Sequence, residues 1–79
     1  MTREEVYERL NEVFQDIFDD AGLTVEDSTT AADVDGWDSL THISLLEAVE
    51  DEFGISFDMK AIHKLKNVGE MVDLVLELA

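Results

Sequence analysis

Residues 36–54 read GWDSLTHISLLEAVEDEFG. Asp38 stands where a short carboxylate accepts the first free N–H groups of a helix, so a helix is expected from Ser39 to about Phe53. Gly54 closes it, because glycine takes a left-handed conformation without steric cost. At 100° per residue, Ile43, Leu46, Val49 and Phe53 fall within a sector of about 120°, the predicted core face. Leu40 lies on the opposite side with Ser44, Glu47 and Asp51, a largely acidic stripe. A plain reading gives Gly36 a turn, Trp37 a packing role, Asp38 a cap and Ser39 nothing beyond a place in the first turn. Leu40 argues for more. A helix start that presents a hydroxyl, a carboxylate and an apolar side chain together reads as a contact point.

Upstream, periodicity is lost from Leu23 to Trp37, where Thr, Ser, Asp and Gly dominate, and a long loop is expected. Loops of that length in compact domains tend to be functional or disordered. Leu23, Val25, Val34 and Trp37 are the side chains able to pin it to a core. Before it, Thr2 and Glu5 form a capping-box pattern and Val6, Leu10, Val13, Phe14 and Ile17 share one face. That first helix is expected to stop near Ala21, ahead of Gly22. Downstream, Ile55 and Phe57 lead into a short helix around Asp58 to Leu65. A last helix follows, with Asn67 and Glu70 as a second capping box and Val68, Met71, Val72, Val75 and Leu78 on its apolar face. The expected fold is all-α: a small four-helix bundle, three long helices and one short, with a long loop between the first and second.

Composition bounds the function. The chain has 79 residues, enough for one small core, and a single domain over residues 1–79 is expected. Its net charge is −15, and fourteen acidic residues with no Lys or Arg separate Arg9 from Lys60. Such a field repels nucleic acid and anionic lipid and draws in basic protein surfaces. No cysteine is present, which excludes disulfides, thiolate metal sites and thiol catalysis, and suits a reducing cytoplasm. No run of about 18 apolar residues could span a bilayer, so no membrane role is expected.

Two sharper chemistries fail on their own terms. Asp33, Asp35 and Asp38 around Gly36 suggest a calcium loop, but placing Gly36 at its sixth position puts Ala31 first and His42 twelfth, where Asp and Glu are required. Ser39, His42 and Asp38 are the right types for a hydrolytic triad, yet the Gly-x-Ser-x-Gly elbow is missing and an exposed helix offers no oxyanion hole. His42 reads as a partly buried structural histidine and His63 as a solvated one.

The segment DGWDSLTHISLLEAVEDEFGISF resembles the attachment region of acyl carrier proteins, which share Asp-Ser-Leu at the start of the second helix and an acidic stretch ending in Glu-Phe-Gly-Ile. NVGEMVDLV is similar to the family's last-helix opening. The resemblance spans nearly the whole chain. It implies that Ser39 receives 4′-phosphopantetheine from coenzyme A, and that Asp38 and Leu40 contact the phosphopantetheinyl transferase and other partners. Glu47, Glu50 and Asp51 would then meet acyl-handling enzymes with basic docking surfaces. A phosphodiester at Ser39 would gain from the helix dipole and free N–H groups of the first turn. The attached arm would supply the terminal thiol that this chain lacks.

The chain departs from fatty-acid carriers at Thr41, Ser44 and Glu47, at Trp37, and in the basic trio Lys60, Lys64 and Lys66. These differences point to a stand-alone carrier of a specialised acyl pathway. A monomer is expected, and with the triad reading rejected and the charge repelling nucleic acid, it is expected to be neither an enzyme nor a nucleic-acid binder. Within the same architecture, peptidyl and D-alanyl carriers are the alternative. The alternative of another class is an acidic helical interaction module without a prosthetic group.

Overall fold

A computed structural model describes residues 1–58, 60 and 65–79 of the chain. Those residues hold three α-helices and one 3-10 turn: α1 (Arg3–Ile17), the turn Ala31–Asp33, α2 (Ser39–Phe53) and α3 (Val68–Leu78). The short helix expected around Asp58–Leu65 rests on residues 59 and 61–64, and His63 with them, which lie outside the described residues. The described residues thus show three of the four expected helices, and the expected position of the fourth falls on residues outside them.

Helix α1 packs against both α2 and α3. Val6, Leu10, Val13 and Phe14 of α1 meet Leu45, Leu46 and Val49 of α2 and Val68, Met71, Val72 and Val75 of α3 in one core, with no polar side chain buried among them. The Thr2 capping box forms as expected, its hydroxyl accepting from the Glu5 N–H while the Glu5 carboxylate accepts from the Thr2 N–H. The end of α1 differs. The helix stops at Ile17, and Asp19, not Gly22, takes the left-handed conformation with φ 50°. Asp20 N–H then reaches back to the Gln15 carbonyl at 3.0 Å, the long bond of a Schellman closure. Asp tolerates that conformation, and continuing to Ala21 would have set Asp19 and Asp20 at the negative end of the helix dipole.

The core face of α2 is also rotated from expectation. Leu45 is fully buried, whereas Ile43 is 58% exposed. Ile43 lay at one edge of the apolar sector, and the core closes over the other, where Leu45 lies. A helical wheel fixes spacing but not which edge finds neighbours.

The long loop is tied down along its length. Asn11 Oδ1 accepts from Val25 N–H at 2.8 Å, and Gln15 Nε2 donates to the Leu23 carbonyl at 2.9 Å. Val25 and Val34 are buried, and Leu23 and Trp37 pack on the core. Asp27 is the loop's main polar anchor. Its carboxylate pairs with Arg3 at 2.7 Å and accepts from the Tyr7 hydroxyl, while Arg3 also holds Asp73 of α3 at 2.6 Å. The Tyr7 bond and then the Arg3 bond hold the Asp27 carboxyl below the usual range, and burial, followed by Asp27, pushes the Tyr7 phenol up to about 12.

The loop also caps α3 from outside. Val68 N–H donates to the Thr29 carbonyl at 2.8 Å and Gly69 N–H to the Asp27 carbonyl at 3.0 Å. Asn67 accepts from Glu70 N–H at 2.9 Å, but Glu70 reaches back to Lys66 N–H at 2.6 Å, one residue before the position that a capping box would use. Gly69 is what allows this approach, since a Cβ there would stand 2.9 Å from the Asp27 carbonyl oxygen. The obstacle is backbone, so a methyl group forces the loop away, at a cost of about 1–3 kcal/mol against a gain of about 1 kcal/mol in helix propensity. Gly69→Ala is expected to lower the melting temperature, and a melt at or above that of the wild type would contradict the contact.

Candidate functional site

The start of α2 is built from a turn and a cap. Trp37 N–H donates to the Val34 carbonyl at 3.2 Å around Gly36, whose φ of 87° is one that side chains other than glycine resist. Asp38 then accepts from the N–H groups of Leu40 and Thr41 at 2.9 and 3.0 Å, and Thr41 Oγ1 accepts from Asp38 N–H at 2.8 Å. Thr41 Oγ1 also donates to the Gly36 carbonyl at 2.7 Å, locking turn to helix. These N–H bonds hold the Asp38 carboxyl below the usual carboxylate range, that of Thr41 first.

Ser39 is the first residue of α2 and is exposed. Among the described residues its hydroxyl has no hydrogen-bond partner. The expected stabilisation of an anion here by free first-turn N–H groups needs correction, because Asp38 already occupies two of them and adds a negative charge of its own. The triad geometry is absent for the same reason: Asp38 is engaged as the cap, and the Nδ1 of His42 is engaged by Trp37.

Trp37 closes one side of the site. Its ring meets Phe14 edge-on at 5.3 Å between centroids and lies 6.1 Å from Phe18. Its indole N–H donates to His42 Nδ1 at 3.0 Å, five residues on, with the two rings stacked at 6.0 Å. An indole only donates, so Nδ1 must be the acceptor nitrogen of a neutral imidazole. Burial lowers the His42 pKa from its ordinary 6.5. The charged form is thus disfavoured in the folded state: this contribution to stability is complete above pH 6.5 and is lost as pH falls below it towards the folded value. Protonation places a hydrogen on Nδ1 and breaks the Trp37 bond. Trp37 is the only tryptophan, so its fluorescence is expected to titrate with a midpoint below 6.5. A midpoint at or above 6.5 would show that His42 is not so buried.

A cleft of about 390 Å³ opens beside Ser39, between the start of α2 and the start of α3. Trp37, Met71 and Leu65 give it apolar walls, and Asp38, His42 and Lys66 bring its ionisable groups. The exposed face of α2 runs from its other side. Leu40 is 79% exposed, and Ile43, one turn on, joins it in an apolar pair. Glu47 and Asp51 are exposed on the same side. Glu50 is half-buried, its carboxylate accepting from Phe57 N–H at 2.8 Å. Among the described residues no cluster of acidic or histidine side chains is arranged to hold a metal. Asp33 closes the 3-10 turn by accepting from Thr30 N–H at 2.9 Å.

The family model described as "Phosphopantetheine attachment site" matches residues 8–75. The acyl carrier protein of Saccharopolyspora erythraea is 32% identical over 81 residues, covering 99% of this chain and 82% of that protein. The chain belongs to the acyl carrier protein family. The acyl carrier protein of Petrotoga mobilis is 34% identical over 79 residues, covering 98% and 91% of the two chains. The solution NMR structure of a holo acyl carrier protein from Geobacter metallireducens matches this fold with a TM-score of 0.85 and 38% identity, over 91% of this chain and 83% of that one. A carrier of this family is not an enzyme, and its prosthetic group is phosphopantetheine. An exposed serine with an open cleft beside it fits that group, which supplies a tethered thiol when bound. Among the described residues no helix of the carrier is long and apolar enough to cross a membrane.

Sequence reasoning missed Ile43 as an exposed residue, the pairing of Trp37 with His42, and Lys66 on the cleft. Only the second had a usable signal: an indole just before an N-cap and an imidazole in the first turn.

Proposed function

We propose that Ser39 is the attachment point of the phosphopantetheine arm, and that the carrier delivers acyl groups to enzymes of a fatty-acid, polyketide or other specialised acyl pathway. The observation that carries this reading is the Ser39 hydroxyl, exposed in the first turn of α2 beside the cleft. Asp38 keeps the helix start in register, so the hydroxyl is offered to a transferase in a fixed place.

Docking is assigned to α2. Leu40 and Ile43 supply an apolar contact that buries on association, while Glu47 and Asp51 steer basic surfaces towards it. Asp38 lies at the edge of that face with its carboxylate held by the cap. Glu50 contributes charge from a position held by Phe57. A net charge of −15 opposes self-association, which supports a monomer, and a cysteine-free chain suits the cytoplasm. The carrier unit is taken to extend over residues 1–79.

Incubation with coenzyme A and a broad-specificity phosphopantetheinyl transferase, followed by intact-mass measurement, tests the reading. One added arm per chain is expected. An unmodified chain, under conditions that load a control carrier, would favour an interaction module without a prosthetic group.

A further inference from the structure

Esterification of Ser39 would place a phosphodiester anion next to Asp38, whose carboxylate is held ionised by the cap it makes. The usual compensation at a helix start is reduced, because the N–H groups of Leu40 and Thr41 already serve Asp38. The first turn of α3 offers no substitute, since Val68, Gly69 and Glu70 donate to Thr29, Asp27 and Asn67. A positive side chain is the remaining means of balancing the charge.

Both arginines are engaged elsewhere. Arg3 bridges Asp27 and Asp73. Arg9 holds Glu52 at 2.7 Å and lies 4.9 Å over the Phe53 ring. Of the groups lining the cleft with Ser39, His42 is kept neutral near pH 7 by burial and its Nδ1 is taken by Trp37. Among the described residues, Lys66 is the cation that remains on that lining. It is exposed, and among the described residues its ammonium group forms no ion pair; Glu70 is held at its backbone N–H instead. We infer that Lys66 is the counter-ion of the phosphodiester at Ser39 and draws the arm towards the cleft that the two residues share. This rests on Ser39 being the attachment point, as proposed above.

An exposed pair of this kind changes a population rather than fixing one geometry, shifting it by roughly two- to fivefold. The test compares apo and loaded forms of wild type, Lys66→Met, Lys66→Arg and Lys60→Met by intact mass and NMR. Lys60 is exposed, does not line the cleft, and its loss changes net charge by the same amount. The readout is the shift on loading of the Trp37 indole and of the Ala31 and Asn67 amides, which scales with the docked fraction. The shifts are expected to fall about two- to fivefold in Lys66→Met, to persist in Lys66→Arg and Lys60→Met, and to collapse for wild type near 1 M salt, where screening acts within about 3 Å.

Equal shifts in wild type and Lys66→Met, with both chains loaded, would overturn the role of Lys66 while leaving Ser39 as the attachment point. Equal losses in Lys60→Met and Lys66→Met would reduce the effect to net charge and overturn it too. Slower loading of Lys66→Met with unchanged shifts would assign the lysine to the transferase, again against the proposal. Absence of added mass on wild type would remove the attachment reading itself.

Discussion

Phe14→Ala is expected to destabilise the carrier by about 3–5 kcal/mol, the range for deleting a buried aromatic ring. Phe14 is fully buried and clusters with Phe18, at 5.8 Å, and Trp37, at 5.3 Å between centroids. A domain of this length holds about 4–12 kcal/mol of net stability, so the loss is a large share of the whole. The void would open directly beneath Trp37, and the wall of the cleft beside Ser39 would lose its support. Denaturant unfolding followed by Trp37 fluorescence measures the effect. Phe14→Leu, which keeps most of the volume, is expected to cost much less. A loss below about 1 kcal/mol for Phe14→Ala would mean that the three aromatic rings do not form the continuous support described.

Ser39→Ala is expected to do the opposite: leave stability within about 0.5 kcal/mol of wild type and abolish loading. Its side chain is exposed and the helix is capped by Asp38, so the fold loses nothing when the hydroxyl goes. The contrast separates a residue kept for chemistry from one kept for packing. A Ser39→Ala chain that melts well below wild type would indicate a structural role for the hydroxyl.

The caps were the most legible part of the fold because each depends on a few neighbouring residues. Thr2 with Glu5 sets the start of α1, and Asp38 with Gly54 sets both ends of α2, through local hydrogen bonds and a single positive φ. The end of α1 was not legible. Asp19 and Gly22 both tolerate a left-handed turn, and the choice falls to the one that brings Leu23 and Val25 back onto α1. Ile43 was misplaced because the core covers the Leu45 edge of α2, a fact held by tertiary packing alone.

At the site, the exposure of Ser39 followed from its place in the first turn, and Leu40 from the wheel. The pairing of Trp37 with His42 depends on the turn at Gly36, which folds the indole back over the helix start. The close approach of Asp27 to Gly69 joins residues 42 positions apart, and no local pattern encodes it. Lys66 shares a cleft with Ser39 only because α3 begins beside α2, so its charge looked like an ordinary surface lysine in the sequence.

Peptide mapping of the loaded carrier by tandem mass spectrometry tests the attachment most directly, since the chain offers four serines, Ser28, Ser39, Ser44 and Ser56. The arm should be found on the peptide containing Ser39 and fragment from that side chain, with Ser39→Ala unmodified and Ser44→Ala loaded like wild type. An arm on Ser28, Ser44 or Ser56, or full loading of Ser39→Ala, would contradict the account.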